Sequence, residues 1–160
     1  MRRLSILIAI LVVVGGSLPA FSASSDNHTV TVVIPTINDV AITGGNLTLT
    51  FVVPTPGSNP ADVSDLTTCD LNWSNNEASQ KITVATNVAS PVATLKVTAG
   101  SVSGGTTGGQ ITLSTTAQDF VTAVTTGNGS CDLEYVASAT SGLTAGSEVH
   151  TVTYTITSSI

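Results

Sequence analysis

Two cysteines are the residues best placed for covalent chemistry in this 160-residue chain, and each opens the same five-residue phrase. Cys69-Asp70-Leu71-Asn72-Trp73 is echoed by Cys131-Asp132-Leu133-Glu134-Tyr135. In both copies cysteine, leucine and aromatic fall two residues apart, so on an extended backbone all three share one face. The chemistry open to the pair is thiol oxidation, which is the expectation for two cysteines in an exported chain. A disulfide between Cys69 and Cys131 would close a loop of about 60 residues and, in the chain-entropy model, contribute about 4 kcal/mol. It is expected to tie stacked layers together.

Other chemistry is poorly provided for. His28 and His150 precede the first and last apolar alternations, where they could meet, but zinc takes three or four protein ligands and no third is evident. Asp62, Asp65 and Asp70 offer oxygen ligands of the kind calcium uses, without the spacing of an EF-hand, so no metal and no cofactor is expected. There is no Gly-x-Ser-x-Gly elbow. One tryptophan, two tyrosines and three phenylalanines leave little with which to build a sugar cleft around paired carboxylates. The chain reads as non-enzymatic. Four Asn-x-Ser/Thr sequons, at Asn27, Asn46, Asn72 and Asn128, carry almost no information, since chance alone gives roughly two or three in a chain this rich in asparagine, serine and threonine.

The elements that would position the cysteines are strands. From Thr29 onward apolar and polar residues alternate, broken by Gly, Pro, Asn and Ser. Val30, Val32 and Ile34 form one such face; Val40 with Ile42, then Leu47, Leu49, Phe51 and Val53, form the next two. Pro54 to Pro60 reads as a loop. The first Cys-Asp-Leu strand follows, then Ile82 with Val84, expected to pair with it as a hairpin if the Ser74-Asn75-Asn76 turn is tight. Leu95 and Val97, Ile111 and Leu113, the second Cys-Asp-Leu strand running through Ala139, and Val152, Tyr154 and Ile156 complete the set. Five glycines between Gly100 and Gly109 predict the most mobile loop. The spacing of Phe120, Val121 and Val124 predicts a connection or a single helical turn, and Asn128-Gly129 predicts a turn into the second cysteine strand.

Seven to nine short antiparallel strands with one disulfide predict an all-β, immunoglobulin-like sandwich. The antibody pattern is not matched in detail, since Trp73 shares a strand with the first cysteine rather than lying between the two.

Residues 1–23 read as a secretory signal: Arg2 and Arg3, the apolar run Leu4 to Val14, then Gly15, Gly16 and Pro19 before small residues. Residues 24–160 are then one domain, exported to the cell surface or outside the cell, with the periplasm as the alternative address. No membrane insertion is expected after the signal is cut. Its loss removes both arginines and leaves Lys81 and Lys96 against ten carboxylates. So acidic a chain has no footprint for nucleic acid.

Val30, Val32 and Ile34 are also candidates for strand exchange, because an N-terminal strand of this pattern can complete a neighbour's sheet. The alternative is pairing within its own domain.

The export signal, Thr29-Val30-Thr31-Val32, the Thr/Ser/Gly-rich body and the terminal Val152-Thr153-Tyr154-Thr155-Ile156-Thr157 resemble secreted bacterial or archaeal surface proteins with immunoglobulin-like sandwiches, donor-strand pilins among them. The C-terminal tyrosine is similar to the chaperone-usher pilin pattern, whereas the widely spaced cysteines depart from it. The resemblance implies a non-catalytic structural or adhesive surface protein, in one form a pilus or filament subunit, whose partners are copies of itself or other surface proteins. A soluble binding module for carbohydrate or another surface ligand, acting through loops 54–66 and 100–109, is the second expectation.

Overall fold

The computed structural model describes residues 24–160. The expected signal segment lies outside the described residues. One compact unit runs from Ile34 to Ile160, and residues 24–33 belong to a separate unit.

The compact unit is all-β, and its strands are β1 (Asn38–Thr43), β2 (Val63–Asp65), β3 (Asp70–Asn75), β4 (Gln80–Thr86), β5 (Thr94–Ser103), β6 (Thr106–Thr107), β7 (Ile111–Thr112), β8 (Gln118–Val124), β9 (Gly127–Ser138) and β10 (Val152–Ser158). They make two antiparallel sheets. One has the order β1-β3-β9-β5-β7, with β2 also pairing to β9; the other has the order β10-β4-β8-β6. Ten strands stand against the expected seven to nine, because β2, β6 and β8 add to the set while residues 30–34 and 47–53 form none. Among the described residues no helix is long and apolar enough to cross a membrane.

The core is built from the inward residues of both sheets. Leu71 and Trp73 of β3, Val97 and Ala99 of β5, and Cys131, Leu133 and Tyr135 of β9 face Ile82 and Val84 of β4, Phe120, Val121 and Val124 of β8, and Tyr154 of β10 in one buried cluster. The strict alternation of buried and open positions along β3, β4 and β9 is what half-covered sheets require. Both lysines of the compact unit lie inside ladders: Lys81 in β4, paired with Asp119 of β8 at 2.9 Å, and Lys96 in β5.

Five expectations are corrected. First, β3 and β4 are no hairpin, because Asn76 to Ser79 carries the chain from one sheet to the other. Ser79 takes a positive φ in that crossing. Second, Leu47 to Val53 forms no strand. Gly44 and Gly45, both at positive φ, carry the chain across Thr68 at the foot of β3, so close that a side chain on Gly44 would strike the Thr68 carbonyl. Beyond that point Leu47 and Leu49 pack on the core without a backbone ladder. Third, Phe120, Val121 and Val124 lie in β8 and not in a helical turn. The β4–β8 register slips twice, between Gln80 and Ile82 and between Ile82 and Thr83, and two extra residues on β8 put Phe120 and Val121 both inward. Ala123 adopts φ 49° at one bulge.

Fourth, the glycine-rich stretch is not an open loop. Gly100 to Ser103 extends β5, and Thr106-Thr107 forms β6 in the opposite sheet. The glycines there allow close approach: Gly108 N–H donates to Phe120 O at 2.8 Å, and a side chain on it would strike Asp119. Fifth, Asn128-Gly129 is inside β9; the chain turns before it at Thr125-Thr126, and Gly127 opens the strand at φ 110°.

Candidate functional site

The cysteines are brought together, but not as a tie between layers. Leu71 stands opposite Cys131, and Leu133 N–H donates to Cys69 O at 2.8 Å, so the two cysteines are diagonal neighbours on paired strands of one sheet. Both are buried free thiols. The Cys69 thiol instead donates to Gly45 O at 3.3 Å. Burial pushes the Cys131 thiol up to about 12, with Asp132 and Asp70 adding to the effect, and burial with Asp65 and Asp70 raises Cys69.

The contact that does join the two sheets is a pair of phenols. Tyr135 of β9 and Tyr154 of β10 meet hydroxyl to hydroxyl at 2.8 Å in the interior, and Phe120 packs against Tyr154 at a centroid distance of 5.1 Å. Burial is the first cause that raises both phenols. The sequence held a signal for this pair. They are the only tyrosines, each on an inward position of a core strand, and a buried phenol needs a partner.

These groups set an alkaline limit. The folded chain keeps the Cys131 thiol and both phenols protonated, whereas the unfolded chain releases those protons from about pH 9 to 10. Above that range the unfolded state binds fewer protons, so stability is intact below about pH 9 and falls as pH rises toward 12. The melting midpoint is expected to hold steady from about pH 6 to 8 and to drop by about 10 °C by about pH 11. A flat profile across that range would contradict the buried, neutral state of these groups.

A hydroxyl, an imidazole and a carboxylate do line up. His150 sits between Thr86 Oγ1 at 3.1 Å from Nδ1 and Glu148 Oε1 at 2.7 Å from Nε2, the order used in acyl-transfer triads. Thr86 is buried, so no substrate reaches its hydroxyl. The set works as a clasp: Glu148 also accepts from Val92 N–H at 2.9 Å, a bond that lowers its pKa, and so fastens the β9–β10 connection to the β4–β5 connection. His28 lies in the separate N-terminal unit. Among the described residues no three His, Cys, Asp or Glu side chains are grouped to hold a metal ion. Asp65 is occupied by its own turn, accepting from Thr67 N–H, Thr68 N–H and the Thr68 hydroxyl, which holds its carboxyl below the usual range. Asp70 faces Asp132 across the β3–β9 ladder.

Two open depressions lie over β1, β3, β9 and the adjoining turns, lined by asparagine, serine and glycine together with Trp73, Val40 and Ile37, and with Asp39 as their one ionisable group. No acid and base converge in them. At the floor of the first, Trp73 is buried with its Nε1–H unpartnered, its ring lying against Gly129.

The strand-exchange candidates are placed differently from an ordinary strand. Residues 24–37 form no strand, and Val30, Val32 and Ile34 are 71%, 80% and 76% exposed. The compact unit holds the root of this arm firmly. Asn76 imitates a paired strand: its side-chain amide donates to Pro35 O and accepts from Ile37 N–H, both at 2.8 Å, and its backbone N–H donates to Ile37 O at 3.0 Å. Glu77 accepts from Thr36 and Asn38, and buried Asn75 braces the turn by bonding Glu77 at both N–H and C=O.

An incompletely covered seam lies where the two sheets' edges, β1 and β10, come together. Val40 and Ile42 pair with Trp73 and Leu71 and so face inward, yet Ile42 is 47% exposed. Val152 and Ile156 on β10 are only half-buried. No protein family model and no curated protein matches the chain.

Proposed function

We propose that this is an exported, non-catalytic structural or adhesive protein of the cell surface, assembling with copies of itself or with other surface proteins by lending its N-terminal strand to a neighbour's sheet. The observation that carries the reading is the arm: an alternating apolar segment, uncharged from Thr29 to Ile34, that is left exposed while its root is clamped by Asn76 and Glu77. Leaving three aliphatic side chains in water forgoes about 1.5–3 kcal/mol each, which a neighbour's sheet can recover. An immunoglobulin-like sandwich in the broad sense accords with two antiparallel sheets and with the crossing that brings β9 between β3 and β5.

The test is assembly state. The purified protein is expected to form oligomers or filaments in sedimentation and negative-stain microscopy, and Val32→Asp is expected to leave monomers with an unchanged melting midpoint. A wild-type protein that stays monomeric at the highest attainable concentration would overturn the reading.

A further inference from the structure

We infer that the acceptor for the arm is the open edge of β10 in a second copy of this chain, where residues 29–34 add as a fifth strand to the smaller sheet. The inference rests on the assembly reading above and adds the site of attachment.

Hydrogen-bond parity identifies which groups are free. Asn87 N–H donates to Thr151 O at 3.2 Å and Ser159 N–H to Ser79 O at 2.8 Å, and the register between them runs without a break from Val152 opposite Thr86 to Ser158 opposite Gln80. In an antiparallel ladder the hydrogen-bonded positions alternate. Odd-numbered residues from 151 to 159 therefore bond to β4, and the N–H and C=O groups of Val152, Tyr154, Ile156 and Ser158 project from the outer edge. Among the described residues no other strand pairs there.

This edge lacks the usual protections. It is seven residues long, unbulged, and has neither charge nor proline, features that blunt most natural edges. The competing edge, β1, carries Asp39 and is one residue shorter. Six arm residues span about 20 Å, close to the extended length of β10. Neither arm nor edge carries a charge, so no repulsion opposes the pairing. With the arm in place, Val30, Val32 and Ile34 would continue the inward row of Val152, Tyr154 and Ile156 and cover the half-closed seam toward Val40 and Ile42. Each copy offers one arm and one edge, and the two surfaces that meet are different in kind. Such a head-to-tail contact gives a ring where its rotation closes and propagates as a fibre where it does not.

The discriminating variant is Ile156→Pro. Its missing N–H is one that β4 does not use, so the fold is expected to survive while the edge loses a donor and gains a ring that blocks approach. Wild type assembling, with both Val32→Asp and Ile156→Pro monomeric and folded by circular dichroism, supports the inference. If Val32→Asp is monomeric but Ile156→Pro still assembles, the arm reading stands and the β10 acceptor is overturned. If wild type never assembles, or Val32→Asp assembles normally, both fall. Should Ile156→Pro unfold, mixing Thr31→Cys copies with Thr155→Cys copies and adding a short bismaleimide reads the contact without disturbing the ladder, the native thiols being buried. Covalent dimers are then expected only in the mixture, and their absence overturns the acceptor.

Discussion

Gly129→Ala is expected to lower stability by about 3 kcal/mol, a fall in melting midpoint on the order of 10 °C, although alanine is ordinarily the better strand residue. Gly129 pairs directly with Trp73 across the β3–β9 ladder, and a methyl group on it would occupy the place of the indole ring. Gly129 shows no positive φ, so conformational strain plays no part in the effect. In a strand free of such a neighbour, glycine to alanine stabilises by roughly 0.5–1 kcal/mol, so the sign of the change decides the matter. The control is the same substitution beside Trp73→Leu, which removes the ring. There the alanine is expected to cost little, and an equal cost in both backgrounds would show that the indole does not rest on Gly129.

The second large effect concerns the phenol pair. Tyr135→Phe or Tyr154→Phe alone removes the hydrogen bond that spans the two sheets and leaves the other hydroxyl buried without a partner. Each is expected to cost about 1–3 kcal/mol. The double variant removes both polar groups at once, so it is expected to be no less stable than the worse single variant, with a coupling energy of about 1–2 kcal/mol between the sites. Thermal or urea unfolding of the four proteins measures it. Strictly additive losses would mean that the two hydroxyls do not depend on each other.

These two contacts also show where the sequence was legible and where it was not. Period-two alternation placed Cys69, Leu71 and Trp73, and likewise Cys131, Leu133 and Tyr135, on inward faces, and that is where they lie. Alternation identifies a face but not a partner. Nothing in the spacing tells whether two similar strands stand opposite one another or side by side, so the expected tie between layers fell to the cysteines when tyrosines make it. Phe120, Val121 and Val124 have the spacing of a helical turn because two bulges insert residues that the pattern cannot flag. Leu47 to Phe51 alternates like a strand and buries Leu47 and Leu49 like one, but finds no ladder beyond the Gly44-Gly45 turn. The glycines from 100 to 109 suggested mobility, whereas Gly105 and Gly108 are small so that β8 can approach. For the candidate site, the apolar face of Val30, Val32 and Ile34 was evident in the chain. Its root was not, since the Asn76 amide reaches a segment some forty residues earlier.

The two lysines have a consequence for resistance to proteolysis. After Arg3 they are the only residues at which a trypsin-like protease cuts, and each is held in a strand with neighbours on both sides. A protease needs several residues drawn out of their ladder to fit its cleft, so neither peptide bond is open to it while the sheets are intact. Digestion of this protein thereby becomes a clock for global opening, and in an environment rich in such enzymes the chain persists for as long as its fold does.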